Sequence, residues 1–197
     1  KANINTLRYK RQLRELRKDV SPYETLEARK IVEPEIVGTA AETATKKDIE
    51  TTKKAFQEMK EKIEKLNFNL KFEDIISSDI KFHLSIAEAT HNSVLVETVN
   101  YIVAGLREKL WIEMKIHSTD FRKRSQKLLL EHKEILDALI RKDGPMARKK
   151  MYEHLDMAER EMFGTSSGEV RNKKINRPLA GNKKRLSKKR KKLKKGK

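Results

Sequence analysis

The sequence predicts an all-α fold: about six helices, followed by a disordered basic tail. Three observations carry this. Between Ser21 and Phe163, apolar residues recur at three- and four-residue spacing, the period of a helix with one buried face. No segment alternates apolar and polar residues with the period of two that marks a half-buried strand. Capping and turn residues divide the region into pieces of ordinary helix length.

Ser21-Pro22-Tyr23-Glu24 reads as a helix start, with Ser as N-cap, Pro in the first helical position and Glu three residues after the cap. This helix is predicted to reach about Thr43, with a kink at Pro34, which lacks an amide donor. Thr45 and Asp48 cap a second helix, whose inward residues are Ile49, Phe56, Met59, Ile63 and Leu66. Asn67 to Leu70 reads as a turn. A third helix runs from about Phe72 to Ala89, and His91-Asn92-Ser93 ends it and caps the next. The fourth carries Leu95, Val99, Ile102, Leu106 and Leu110 on one face. Ser118-Thr119-Asp120 opens a fifth, which ends near Lys142. Asp143-Gly144-Pro145 is a turn signal, and the sixth helix follows to about Phe163.

Charge separates this region from its flanks. The 197-residue chain carries a net +18, yet residues 21–163 are close to neutral. Residues 1–20 hold seven Lys/Arg against two acids, and are read as a basic linker or short helix. Residues 170–197 hold fifteen Lys/Arg and no acid; together with 164–169 they have almost nothing to bury, so disorder is expected. The folded region is thus no basic surface for nucleic acid. There is no apolar run of ~18 residues, so no membrane span is predicted, and no signal peptide is visible. The absence of cysteine removes disulfides and thiolate metal sites and fits a cytoplasmic location. Lys1 in place of Met suggests a fragment or a processed product.

Four of the helices aim ionisable groups at their own apolar faces. Asp79 and His83 sit amid Phe72, Ile75, Ile76, Phe82, Ile86 and Ala87. His132 lies amid Phe121, Leu128, Leu129, Ile135, Leu136 and Leu139. His154 shares its face with Ala147, Met151, Met157, Ala158 and Met162, and Arg29 and Glu33 share theirs with Leu26, Val32, Ile36 and Val37. Buried charges cost several kcal/mol unless paired or coordinated. Asp79 and His83, four residues apart, stack on one helix face. His132 and His154 come from helices that a short turn makes antiparallel neighbours. Three imidazoles and a carboxylate are a normal shell for a divalent transition metal, with positions left open. A single histidine on an apolar face is more often a hydrogen-bonded core residue than a ligand; the set is what points to a metal. Arg29 either grips a small carboxylate beside that metal or pairs internally with Glu33 or Asp79. His91 and His117 fall at helix ends and are read as surface or capping residues.

The pieces LEARKIVEPE (26–35), DIKFHLSIAEATHN (79–92), LLEHKEILDALIRKD (129–143) and ARKKMYEHLDMAE (147–159) resemble, in order, the FCD domain. This is the C-terminal effector-sensing domain of GntR-type bacterial transcription regulators. The resemblance spans about Ser21 to Phe163. It implies an all-α antiparallel bundle of about six helices around a central metal and ligand cavity, with a metal held by Asp79, His83, His132 and His154, zinc by default, with nickel, manganese, iron or cobalt as alternatives. It also implies a small organic acid bound by Arg29 and, less directly, Asn92, and a homodimer. The family usually has Gly where this chain has His91. Such regulators place a winged helix-turn-helix ahead of the sensor, and residues 1–20 do not carry that pattern.

The function expected is metal-dependent sensing of a small carboxylate, which modulates DNA binding in a full-length regulator. Two other functions are weighed. An open His/His/His/Asp site suits a metal-dependent hydrolytic enzyme, though no further inward base or nucleophile accompanies it. The tail, with Lys188, Lys189, Arg190, Lys191 and Lys192, suits weak, non-specific nucleic-acid binding through phosphates.

Overall fold

The structure, a computed structural model, describes residues 20–65, 72–104 and 121–163. Six helices form there, and no strand is present among the described residues. They are α1 (Pro22–Thr43), α2 (Lys46–Glu64), α3 (Phe72–Glu88), α4 (Ser93–Val103), α5 (Phe121–Ile140) and α6 (Gly144–Phe163). The basic segment 1–19, the turn at 67–70, the continuation of the fourth helix through Leu106 and Leu110, His117, the cap at 118–120 and the tail from 164 lie outside the described residues. So do Lys188, Lys189, Arg190, Lys191 and Lys192.

The predicted caps form. The Ser21 hydroxyl accepts from the Glu24 amide, and the Glu24 carboxylate accepts from the Ser21 amide at 2.9 Å. Thr45 and Asp48 make the same reciprocal box at the start of α2. Each box satisfies amides that a helix start leaves without partners. α1 runs through Pro34 without interruption.

α1 is the central helix. It packs most extensively on α6 and also touches α3, α4 and α5. Its buried residues accordingly extend beyond the single arc read from the sequence, to Tyr23, Thr25, Lys30, Pro34 and Ala41. α2 lies on α3 and α5, and α5 packs against α6. The main core gathers Leu26, Phe82, Ile86, Ile135, Leu139 and Leu155, while Met59, Ile63, Ile75 and Leu128 form a smaller cluster between α2, α3 and α5. Lys30 on α1 reaches Asp156 (3.3 Å) and Glu159 on α6, a buried ionic tie between the two most closely packed helices. Gly38 leaves room for the Arg148 guanidinium to cross α1 toward Glu35, 3.0 Å away.

Two helix ends turn through left-handed residues that are not glycine. Lys142 (φ 56°) closes α5, with the amides of Lys142 and Asp143 donating to the carbonyls of Leu139 and Ala138. The Asp143 side chain then accepts from the Met146 amide at the start of α6. This short turn sets α5 against α6 and thereby brings His132 near His154. His91 (φ 55°) follows α3 and precedes the Asn92 cap of α4. The left-handed region is disfavoured for a residue with a Cβ by about 1–2 kcal/mol. His91 recovers part of that through a contact of 3.0 Å with Asp48. Lys142→Gly therefore raises unfolding stability by about 1 kcal/mol, and His91→Gly by less, as urea denaturation midpoints of the two variants will show.

Candidate metal centre

Asp79 and His83 come from consecutive turns of α3, His132 from the middle of α5 and His154 from the middle of α6. All four are buried, at 5%, 2%, 0% and 3% exposure. One ligand atom from each lies within 4.8 Å of all the others. The rings of His132 and His154 are 4.4 Å apart, and that of His83 is 5.3 Å and 5.5 Å from them. Phe82 stands edge-on to His132 at 4.8 Å and forms an apolar wall.

Hydrogen-bond chemistry fixes which nitrogens face inward. His132 Nδ1 donates to the Leu128 carbonyl at 2.8 Å. His154 Nδ1 donates to Glu131 Oε2 at 2.9 Å. His83 Nδ1 lies 2.5 Å from Glu33 Oε2, a separation that requires a proton on the ring nitrogen, although the contact is bent away from regular hydrogen-bond geometry. A neutral imidazole has one protonated and one bare nitrogen. With every Nδ1 protonated, every Nε2 carries its lone pair inward. His132 Nε2 stands 2.9 Å from Asp79 Oδ1 and has no hydrogen-bond partner. His83 Nε2 is 3.8 Å from the same oxygen. His83 Nε2 also lies 3.1 Å from Arg29 Nη2, and the four converging groups together form a set that can take up a cation. Metal–ligand bonds of about 2.1 Å place neighbouring ligand atoms roughly 3 Å apart, so this donor set fits a divalent transition metal.

The surrounding electrostatics agree. Burial, reinforced by the nearby His132, pulls the His154 pKa down to about 3 against the opposing pull of Glu131. Burial likewise lowers that of His83. Burial raises the Glu33 carboxyl, but the Arg29 guanidinium and His83 outweigh it and hold it at about 2. His154 and Arg124 do the same for Glu131, also at about 2. Neutral imidazoles inside, backed by ionised carboxylates outside them, are the form that ligates.

Arg29 is buried beside the centre. Its Nε is 2.5 Å from Glu33 Oε1, the internal pair left open by the sequence, and its Nη2 is 3.1 Å from His83 Nε2. Asn92 stands apart. It is exposed, and its side-chain oxygen accepts from the amides of Val94 and Leu95 to cap α4. Glu131 was not singled out from the sequence. Its only signal there is its place seven residues after Arg124, on the same side of α5.

Six packed helices with an acid-and-imidazole cluster at their centre define an all-α domain with a buried polar site. The FCD domain family matches residues 24–157, and the chain belongs to that family, whose members here are GntR-type regulators. It is 36% identical over 151 residues to the Uxu operon transcriptional regulator of Escherichia coli, covering 76% of this chain and 56% of that protein. It is 30% identical over 139 residues to the HTH-type transcriptional regulator LutR of Bacillus subtilis, covering 71% and 61%. The chain thus spans little more than half the length of these relatives. The fold is similar to that of Escherichia coli McbR/YncC, with a TM-score of 0.62 at 18% identity, covering 74% of this chain and 66% of that one. These named relatives are transcription regulators. No described helix is long and apolar enough to cross a membrane.

The pKa shifts set a pH dependence for the chelator-treated protein. His154 titrates near 6.5 when unfolded and about 3 when folded, so its contribution is complete above pH 6.5 and is lost as pH falls toward 3. Glu33 and Glu131 contribute above pH 4.5 and lose it toward pH 2. Urea midpoints are expected to fall from pH 7 to 5, with His154 and His83 each adding a slope of up to about 1.4 kcal/mol per pH unit. His154→Gln should flatten that slope.

Proposed function

We propose that this chain is the metal-dependent sensor of a small organic acid within a transcription regulator, with Asp79, His83, His132 and His154 as the metal ligands. The observation that carries the reading is the convergence of four buried ligand atoms within 4.8 Å, beside a buried guanidinium 3.1 Å from one of them. Three nitrogens and one oxygen favour zinc, and nickel, manganese, iron and cobalt also accept such a set. Bound there, the cation supplies positive charge for an anionic oxygen.

Arg29 supplies the second grip on the acid. A guanidinium presents five donors in a planar fork, and its contacts with Glu33 and His83 run through Nε and Nη2. Asn92 is left out of the contact set, because its oxygen is committed to the α4 cap. Arg29 rides on α1, which packs on α6, α3, α4 and α5. An acid that binds one arrangement of α1 more tightly than another shifts their populations, and it can do so only by that difference in affinity. In a full-length homodimer this shift would change how two DNA-reading domains are spaced. The regulatory names of the relatives favour this reading over hydrolysis.

Elemental analysis of the purified chain tests the centre. Wild type should retain a stoichiometric transition metal and Asp79→Ala should lose it; stoichiometric metal in both would end the assignment. Small mono- and dicarboxylates should raise the unfolding temperature of the zinc-loaded chain. Arg29→Lys, which keeps the charge without the fork, should remove most of that rise. An undiminished rise in the variant would take Arg29 out of the acid site.

A further inference from the structure

The three imidazoles are held from behind by three different acceptors. His83 leans on Glu33, which is 2% exposed and shared with Arg29. His132 leans on a backbone carbonyl of its own helix. His154 leans on Glu131, a side chain from the neighbouring helix that borders a surface cleft of about 340 Å³ between α5 and α6. Lys127, Glu134, Lys150 and Asp156 also line this cleft.

We infer that Glu131, gripped by Arg124, is a positioning residue for the metal centre: it fixes the His154 ring with Nδ1 outward and Nε2 left to ligate. The inference rests on the metal reading above. Arg124 holds both carboxylate oxygens, Nη1 to Oε1 at 2.9 Å and Nη2 to Oε2 at 3.3 Å. Its Nε pairs with Glu161 on α6. The fork thus locks the Glu131 rotamer from α5 and ties it across to the helix that carries His154. Oε2, already held by Arg124, is the oxygen that receives the Nδ1 proton. Without that acceptor, Nδ1 faces a polar cleft. Water can then bond either ring nitrogen, and the tautomer with a proton on Nε2 presents N–H where a lone pair is needed. Partners of this kind behind a ligating histidine contribute about 10- to 100-fold in metal affinity.

Chelator-competition titration of the whole chain with zinc tests this, with wild type, Glu131→Ala, Glu131→Gln and His154→Ala compared. Glu131→Ala should weaken zinc binding about 10- to 100-fold. Glu131→Gln, whose amide oxygen still accepts from Nδ1, should recover most of it. In zinc-free protein at neutral pH, the ¹⁵N shifts of His154 should report the Nδ1–H tautomer in wild type and in Glu131→Gln, and a mixture in Glu131→Ala. A purely structural carboxylate would leave that tautomer unchanged. Wild-type zinc affinity in Glu131→Ala, with loss in His154→Ala, overturns the positioning role and leaves the centre standing. Equal losses in the Ala and Gln variants, with an unchanged tautomer, also overturn it. Unchanged affinity in His154→Ala overturns the metal reading, and this inference with it.

Discussion

Three buried imidazoles must each send one proton outward, and this constraint organises the middle of the molecule. An imidazole in an apolar core cannot leave both nitrogens to chance, because an unmatched buried polar atom costs about 1–3 kcal/mol. Here the Leu128 carbonyl and Glu131 take the Nδ1 protons of His132 and His154, and the Glu33 carboxylate lies 2.5 Å from Nδ1 of His83. The remaining nitrogens are thereby turned toward one another and toward Asp79. The helix positions follow from this as much as from apolar packing. α1 must bring Glu33 to His83, and α5 must approach α6 closely enough for Glu131 to meet His154. The left-handed turn at Lys142 and the Asp143 cap make that approach with few residues.

The apolar core serves the same end. Phe82 follows the turn of Asp79 and precedes His83, and its ring stacks edge-on against both His83 and His132. Such walls exclude water, lower the local dielectric and strengthen every charge contact they enclose. They also explain why His83 and His154 resist protonation: burial is the leading cause for both. A centre of this kind is stabilising when its lone pairs are satisfied by a cation and destabilising when acid protonates them. A cation bound there as proposed would therefore add its binding free energy to the stability of the fold.

Much of this was legible in the sequence because helices convert spacing into direction. The arcs of α3, α5 and α6 place Asp79, His83, His132 and His154 inward without reference to any partner, and the capping boxes at Ser21 and Thr45 are purely local. What was not legible depends on which helices meet. The all-round burial of α1 reflects its place among four neighbours, so its apolar arc understated its role. Glu131 sits beside His132 in sequence yet serves His154 on another helix, a relation that only the α5–α6 pairing creates. Asn92 shows the converse: its likeness to a family residue suggested an effector contact, while locally it is an N-cap. His91 takes the left-handed conformation despite its Cβ, and the Asn92 cap of α4 forms directly after it.

The arrangement of counter-charges bears on how an acid would act if it binds as proposed. Arg29 and Glu33 lie four residues apart on one helix, so a carboxylate that draws the guanidinium away from Glu33 exchanges partners within α1 and does not by itself separate two helices. Glu33, however, also touches His83 on α3. Lys30, next in sequence to Arg29, pairs with Glu159 on α6, whose side chain is fully buried. A rotation of α1 that improves the grip on an acid thus strains contacts on two sides, one at the centre and one at the α6 interface. Well-packed interfaces yield to such strain by moving between discrete arrangements more readily than by deforming smoothly. The central helix is accordingly the element through which occupancy of the site would be felt at the surface, and the buried ties of Lys30 to Glu159 and Asp156 are contacts that such a rotation would have to strain.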